Sequence, residues 1–129
     1  MNESHNNACT VRDAYRQDCP CRELLDLVAN RWTALIVDHL TLGPQRFGQL
    51  KRRLEGVSHK MLSQSLRRLE RDGLVTRTIR PRPLEVHYAL TELGMGVAQP
   101  LTALRRWSEA NVDTILKHQA AYDLAQQVG

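Results

Sequence analysis

Apolar side chains recur every three to four residues through the first part of the chain, and this spacing predicts a series of short helices. Proline is favoured at the first position of a helix, so the first of them should begin at Pro20. Gly43 and Gly56 follow the next two apolar stretches and mark where those helices end. The predicted helices span residues 20–29, 30–40 and 47–54.

A fourth helix is predicted from Ser58, which favours the N-terminal cap, to Asp72, where a glycine follows and closes the helix. One side is apolar and should face the core, with Met61, Leu62, Leu66 and Leu69. The opposite side carries no carboxylate and consists of Lys60, Gln64, Arg67 and Arg71. Because a solvated helix face usually mixes charges of both signs, this basic stripe indicates a surface for a polyanion, with an ordinary soluble face as the alternative.

Beyond Gly73 the apolar period changes from 3.6 to two, which predicts two strands over residues 74–80 and 85–90. The connection contains two prolines and should form a rigid tip that displays Arg80 and Arg82. A long helical segment, capped by Thr91 and kinked at Pro100, then continues to about residue 126. Uninterrupted, it would span about 50 Å, which is too long for a domain of this size to cover alone.

The predicted fold class is mainly α with a small β-hairpin, in the order of a winged helix-turn-helix. The helices at 47–54 and 58–72 are joined by a tight turn at Gly56-Val57 and form the helix-turn-helix proper. The predicted organisation is a flexible N-terminal arm, a DNA-binding domain and C-terminal dimerisation helices, over residues 1–18, 19–90 and 91–129.

The charge distribution supports a nucleic-acid partner. Between Pro44 and Arg82 the chain has eleven Lys and Arg residues and three carboxylates, although the net charge of the whole chain is only +4. The N-terminus has no apolar segment, and the most apolar run is interrupted by Asp38, so neither a signal peptide nor a membrane helix is expected. We therefore expect a cytoplasmic protein.

In a helix-turn-helix the second helix enters the major groove, where lysine and glutamine suit base edges and arginine more often neutralises phosphate. The hairpin tip should reach the neighbouring minor groove or backbone. The candidate DNA-binding residues are Ser58, His59, Lys60, Ser63, Gln64, Arg67, Arg68, Arg71, Arg80 and Arg82.

Four segments of the chain resemble the HxlR family of bacterial transcriptional regulators: RWTALI at 31–36, GPQRFGQLKRRL at 43–54, GVSHKMLSQSLRRLERDGLVTR at 56–77 and VHYALTELG at 86–94. The resemblance implies a homodimer that binds double-stranded DNA with an inverted-repeat operator. It also implies dimerisation through the N-terminal and C-terminal helices, for which Leu101, Leu104 and Trp107 are the candidate residues. The tail beyond Glu109 is longer than the family pattern requires.

The same resemblance implies a role for Cys19, because the family commonly has a cysteine followed by proline before its first core helix. Several members use that cysteine to sense oxidants or electrophiles. The start of a helix and Arg22 should both favour a thiolate at this position, whereas Asp18 and Glu23 oppose it. Cys19 is thus expected to be an accessible sensor thiol coupled to the dimer.

Cys21 departs from the family pattern and is either a resolving thiol or a small core residue. A disulfide between Cys19 and Cys21 would be strained and further restricted by the intervening proline. A bond from Cys19 to Cys9, or between the Cys19 residues of two subunits, is sterically easier. Cys9 itself, in a polar segment, is most simply incidental.

Parts of the sequence are also compatible with other functions. A winged-helix regulator could respond to a small non-thiol ligand or to a metal, and Cys9, Cys19, Cys21 and His5 are the only residues that suggest a metal site. A thiol enzyme with Cys19 as nucleophile needs a histidine base, but His39, His59 and His87 all belong to other motifs. A protein-interaction module is disfavoured by the basic stripe. We expect no enzyme activity, no cofactor and no metal.

Overall fold

A computed structural model of the protein describes residues 12–128. It is mostly helical with a small antiparallel sheet, and the predicted fold class is confirmed. The elements are α1 (Pro20–Val28), α2 (Arg31–Leu40), β1 (Gln45–Arg46), α3 (Phe47–Arg53), α4 (His59–Arg71), β2 (Val75–Pro81), β3 (Leu84–Leu90) and α5 (Glu92–Val128). In the described part of the chain, no helix is both long enough and apolar enough to cross a membrane.

The core lies where the apolar faces of the helices meet, and its central side chains are almost completely buried. They come from every helix, with Leu27 in α1, Ile36 and Val37 in α2, Leu50 in α3, Leu62, Leu66 and Leu69 in α4, and Ala98 and Leu101 in α5. Each of these helices is amphipathic, so burying one face leaves the opposite face of α4 in solvent.

Helix α4 begins and ends where the sequence predicted. The Oγ atom of Ser58 accepts a hydrogen bond from the backbone N–H of Met61 at 3.0 Å, which caps the helix. Gly73 follows the last turn with a φ of +78°, a conformation that favours glycine. The assignment of Met61 to the core was wrong, since it is 39% exposed and Ser65 is buried. The core face is centred on Leu62 and Leu66, and Met61 lies to one side of it.

The sheet has a third strand that the sequence pattern did not reveal. Strand order is β1-β3-β2, with Arg46 of β1 opposite His87 and with Arg80 of β2 opposite Glu85. Strand β1 has only two residues, too few for any alternation to be recognised. It ties the start of the helix-turn-helix to the hairpin.

The long helix α5 is fixed at its start by Thr91, whose Oγ donates to the carbonyl of Gly73 at 2.6 Å and accepts from the N–H of Gly94 at 3.0 Å. Gly94, in the first turn of α5, lies so close to the segment between α4 and β2 that a Cβ atom there would collide with the carbonyl oxygen of Leu74. The helix continues for 37 residues, with Pro100 inside it, and residues beyond 107 are almost all exposed.

Candidate nucleic-acid interface and cysteine pair

The basic stripe of α4, formed by Lys60, Gln64, Arg67 and Arg71, is exposed. Within residues 12–128 none of its cationic side chains forms an ion pair. Arg67 donates from Nη1 to the Oγ of Ser63 at 3.2 Å, which holds its side chain along the helix. The stripe therefore presents positive charge that no carboxylate of the described chain neutralises.

The N-terminal end of α4 is held against α3 by an aromatic contact. The rings of His59 and Phe47 lie with their centroids 4.7 Å apart at an interplanar angle of 49°. Such a tilted pair adds to the stability of the contact beyond the buried area. His59, predicted to bind DNA, thus also orients the helix that carries the stripe, while Ser58 is its cap.

Arg68 is displaced from the basic stripe. At 100° per residue it lies about 70° around α4 from the centre of the stripe, on the flank that faces α1. There it lines a groove together with Cys21 and Arg71. Of the arginines predicted to bind DNA from α4, Arg68 and Arg71 therefore border the groove that contains Cys21, and Arg67 does not.

The hairpin carries Arg80 and Arg82 on exposed positions, as predicted, but a carboxylate lies among its cations. Oε1 of Glu85 is 2.9 Å from Nε2 of His87, and its Oε2 is 3.7 Å from Nη1 of Arg46. The hydrogen bond with His87, followed by the charges of Arg46, His87 and Arg80, lowers the pKa of Glu85. The carboxylate therefore stays ionised near neutral pH and offsets part of the positive charge of the hairpin.

Two exposed arginines outside the predicted set adjoin this surface. Arg46 is positioned by β1 and by Gln49, whose Oε1 accepts from the Arg46 N–H at 2.8 Å. Arg77 lies on β2 opposite Tyr88. Both belong to the basic segment between Pro44 and Arg82, which the charge count identified from the sequence. The count could not show which residues of that segment lie on the same surface.

Cys19 is the N-cap of α1, as predicted, but it is not accessible: it is only 2% exposed, and that expectation was wrong. The preceding residues fold back in turns over the helix start, and Arg22 fastens them there. Its Nε and Nη2 donate to the carbonyls of Ala14 and Tyr15 at 3.0 and 2.7 Å. Arg22 is thus engaged by backbone oxygens in addition to its place near Cys19.

The structure joins Cys19 to Cys21 as a disulfide, the pairing that the sequence disfavoured. Their Cα atoms are 5.3 Å apart, within the usual range for a disulfide, because Cys19 has extended backbone angles before the helix begins. Cys21 was predicted to be either a resolving thiol or a small core residue; it is half-buried, and its partner is Cys19. Cys9 and His5 lie outside the described residues.

The carboxylate beside this pair is itself paired. Asp18 accepts hydrogen bonds from Nε and Nη2 of Arg16 at 3.2 and 3.3 Å. The hydrogen bond from Arg16 lowers the pKa of Asp18. The negative charge expected to oppose a thiolate at Cys19 is therefore partly balanced by Arg16.

A row of apolar side chains follows one side of α5 in solvent. Leu104 and Trp107 are each 56% exposed, and Ile115 and Tyr122 continue the row at helical spacing. Leu101, also predicted to be in a dimer interface, is instead buried in the core of its own chain at 8% exposure. It lies where α5 still packs on the core, one turn before the apolar stripe (Leu104, Trp107, Ile115 and Tyr122) begins.

A cleft of about 370 Å³ lies between α2 and α5 and is bordered by Trp32, His39, Arg53 and Glu109. Burial and, to a smaller extent, the charge of Arg53 lower the pKa of His39. Cationic and anionic side chains line the cleft in equal number, so it has no preference for a ligand of either sign.

Within residues 12–128, the side chains suited to metal binding or nucleophilic catalysis are not gathered in one place. No group of three His, Cys, Asp or Glu side chains between residues 12 and 128 could hold a metal ion. His39 lines the cleft, His59 contacts Phe47, and His87 contacts Glu85.

Comparisons with known proteins agree with this geometry. A family model described as HxlR-like helix-turn-helix matches residues 27–116. The uncharacterized HTH-type transcriptional regulator YtfH of Escherichia coli is 44% identical over 103 residues, which cover 79% of this chain and 82% of YtfH.

Solved structures also share the fold. The ytfH protein from Salmonella typhimurium is 41% identical with a TM-score of 0.80, over 84% of this chain and 98% of that one. The redox regulator HypR in its oxidized form is 32% identical with a TM-score of 0.67, over 72% of this chain and 97% of HypR.

Proposed function

The chain belongs to the HxlR-like helix-turn-helix family of transcriptional regulators, and we propose that it binds an inverted-repeat operator as a homodimer and responds to oxidants through its cysteine pair. The observation that carries the DNA-binding part is the basic stripe of α4, which is exposed and has no carboxylate partner within the described chain. A helix with this surface, following a tight turn, fits the major groove.

Base recognition in this proposal comes from the N-terminal half of α4. Lys60 and Gln64 reach base edges, and Arg67 and Arg71 neutralise phosphates. Arg80 and Arg82 of the hairpin contact the backbone or minor groove to one side. Arg46 of β1 and Arg77 of β2 are further exposed cations that can contact phosphates.

The dimer in this proposal is formed through the apolar stripe of α5. The stripe includes a half-exposed tryptophan and lies on a helix that extends beyond its own domain. Exposure of such a contiguous apolar surface to water is unfavourable. Leu24 and Leu25 of α1 are also about half exposed and can complete the same interface. To bind two half-sites on one face of the duplex, the two copies of α4 in this dimer must lie about 34–36 Å apart, the spacing of successive major grooves.

The redox part rests on the pairing of Cys19 with Cys21 and on the similarity to HypR, which is a redox regulator. In this proposal an oxidant such as diamide takes two electrons and two protons from the two thiols and leaves the disulfide. The pair lies at the start of α1, next to one end of α4, so its state can change the position of α4 within one protomer.

The decisive experiment measures binding of the protein to its own upstream DNA by fluorescence anisotropy, with and without diamide. Cys19→Ser should keep basal binding and lose the response, and Cys9→Ser should keep both. A full response in the Cys19→Ser protein would contradict the redox part. Equal affinity for upstream and random DNA would contradict sequence-specific binding.

The cleft between α2 and α5 favours a second candidate, regulation by a small non-thiol ligand. Its volume of about 370 Å³ is within the range of small-molecule sites, and it adjoins both the helix-turn-helix and the long helix. A diamide-insensitive protein whose DNA binding changes on substitution of Trp32 would favour this candidate.

A further inference from the structure

The groove between the start of α1 and the C-terminal end of α4 has a sulfur atom at one side and guanidinium groups at the other. It has a volume of about 540 Å³ and is bordered by Cys21, Arg68 and Arg71. Arg12 adds a third cation, and Glu23 and Asp72 are the carboxylates. We call it the Cys21 groove.

Only one sulfur of the pair is open to this groove. Cys19 is 2% exposed, whereas Cys21 is half-buried and lines the groove. Thiol–disulfide exchange needs the attacking sulfur to approach along the S–S axis, so access decides which sulfur is attacked. A thiol from solvent would therefore reach Cys21.

The cations of the groove are available to a ligand. Neither Arg68 nor Arg71 has an ion pair or side-chain hydrogen bond with any of residues 12–128. They are three residues apart on α4, so both can face one small molecule. Guanidinium groups bind carboxylates with two parallel hydrogen bonds.

We propose that the Cys21 groove binds an anionic low-molecular-weight thiol of the glutathione class, which forms a mixed disulfide with Cys21 while Arg68 and Arg71 hold its carboxylates. This inference rests on the proposed redox function and adds to it the ligand and the cysteine that takes it.

The reaction is a thiol–disulfide exchange, in which one S–S bond replaces another, so it needs no oxidant. The thiolate of the small molecule attacks Sγ of Cys21, the new S–S bond forms, and the bond between Cys19 and Cys21 breaks. Cys19 leaves as a thiolate at the N-terminus of α1, where the helix N–H groups favour negative charge, and it can take up the proton that the incoming thiol released. Attack of Cys19 on the mixed disulfide reverses the step.

The mixed disulfide would act on DNA binding within the same protomer. Arg71 belongs to the basic stripe, and Arg68 adjoins it, so carboxylates held there replace DNA phosphates as their partners. The adduct also places negative charge beside the DNA-facing surface. Both effects weaken binding and reduce its dependence on salt.

The first test incubates the oxidised protein with reduced glutathione, stops the exchange with acid so that Cys19 cannot reverse the step, and follows the intact mass under non-reducing conditions. We expect one glutathione per chain, located on Cys21 by peptide mapping, and none on the Cys21→Ser protein. An adduct found mainly on Cys19 or Cys9, or no adduct, would overturn the proposal.

The second test asks whether the arginines select the thiol by its charge. The Arg68→Gln and Arg71→Gln proteins should react with glutathione roughly two- to fivefold more slowly, the change expected from exposed ion pairs. Their rates with neutral 2-mercaptoethanol should stay unchanged. Arg67→Gln removes the same charge from α4 outside the groove and should react like the unsubstituted protein with both thiols. Equal slowing by all three substitutions would show a general charge effect and refute a built site.

Failure of the glutathione inference can be distinguished from failure of the proposed redox control. If diamide changes DNA binding but glutathione does not modify Cys21, the ligand inference falls and redox control stands. If glutathione modifies Cys21 with the expected selectivity but neither reagent changes DNA binding, the site stands and redox control falls.

Discussion

Arg105 of α5 donates from Nε to Oδ2 of Asp38 in α2 across 2.7 Å, and this contact joins the long helix to the helix-turn-helix domain. The hydroxyl of Thr102 donates to the other carboxylate oxygen of Asp38. The side chain of Asp38 is only 14% exposed, and its hydrogen bond raises the pKa of Arg105. Helix α5 and helix α2 are therefore joined by a charged contact whose carboxylate is largely buried.

Asp38→Asn should destabilise the protein by about 1–3 kcal/mol, because it removes the charged acceptor of the hydrogen bonds from Arg105 and Thr102 at a largely buried position. The free energy of unfolding in urea measures the effect. Glu109→Gln is the matched control, since Glu109 binds the same arginine at 2.9 Å but is 66% exposed, and it should cost roughly 0.5 kcal/mol or less. Equal losses in the two variants would contradict the assignment of Asp38 as the main partner.

Gly94→Ala should destabilise the protein by about 1–3 kcal/mol, because its Cβ would meet the carbonyl oxygen of Leu74. Gly96→Ala should instead stabilise it by about 0.5–1 kcal/mol, since no atom lies near that position and alanine favours the helix. Thermal unfolding of the two proteins side by side gives opposite shifts. A shift of the same sign would mean that α5 does not pack on Leu74 as described.

DNA affinity should separate into a general and a specific part. Arg67→Ala or Arg82→Ala should weaken binding to every sequence and flatten the salt dependence, as expected for phosphate contacts. Lys60→Ala or Gln64→Ala should cost about 1–3 kcal/mol on the operator only. Titrations of operator and random DNA at several salt concentrations measure both. If all four variants lose equally on both DNAs, this division of roles is incorrect.

Glu85 should make the stability of the protein fall in acid. Its pKa is lowered in the folded state from the ordinary value of 4.5, so its contribution is complete above that value and is lost as the pH falls through the folded pKa. Glu85→Gln should flatten the pH dependence of unfolding below about pH 5. Glu70→Gln, which removes an exposed carboxylate on α4, should keep the original profile. Identical profiles for Glu85→Gln and the unsubstituted protein would exclude a role for the His87 contact.

Trp107→Ala, and to a smaller extent Leu104→Ala, should shift the protein from dimer to monomer at micromolar concentration. A buried aromatic anchor often carries a large part of the energy of an interface, about 2 kcal/mol or more. Analytical ultracentrifugation measures the association. Leu84→Ala, at a 75% exposed position of the hairpin, serves as control and should leave it unchanged. A monomeric unsubstituted protein would refute the dimer and the two-half-site operator together.

The sequence alone determined the local elements and their order. Ser58 and Gly73 specify the two ends of α4 through side-chain and backbone preferences that act within a few residues. The alternation after Gly73 specified the hairpin, and the charge of the segment from Pro44 to Arg82 indicated the partner. These signals are readable because each depends only on neighbours along the chain.

Only the tertiary structure decided which distant residues meet. Arg105 reaches Asp38 from 67 residues away, Arg68 faces Cys21 from another helix, and a β1 of two residues is stabilised by pairing with β3. The sequence located Cys19 at the start of a helix, which suggested an accessible thiol. It did not show that the preceding residues fold over that helix start and bury the side chain. Burial, strand pairing and long-range ion pairs depend on how the faces of helices and strands pack against one another. The pattern of residues along the chain does not specify that arrangement.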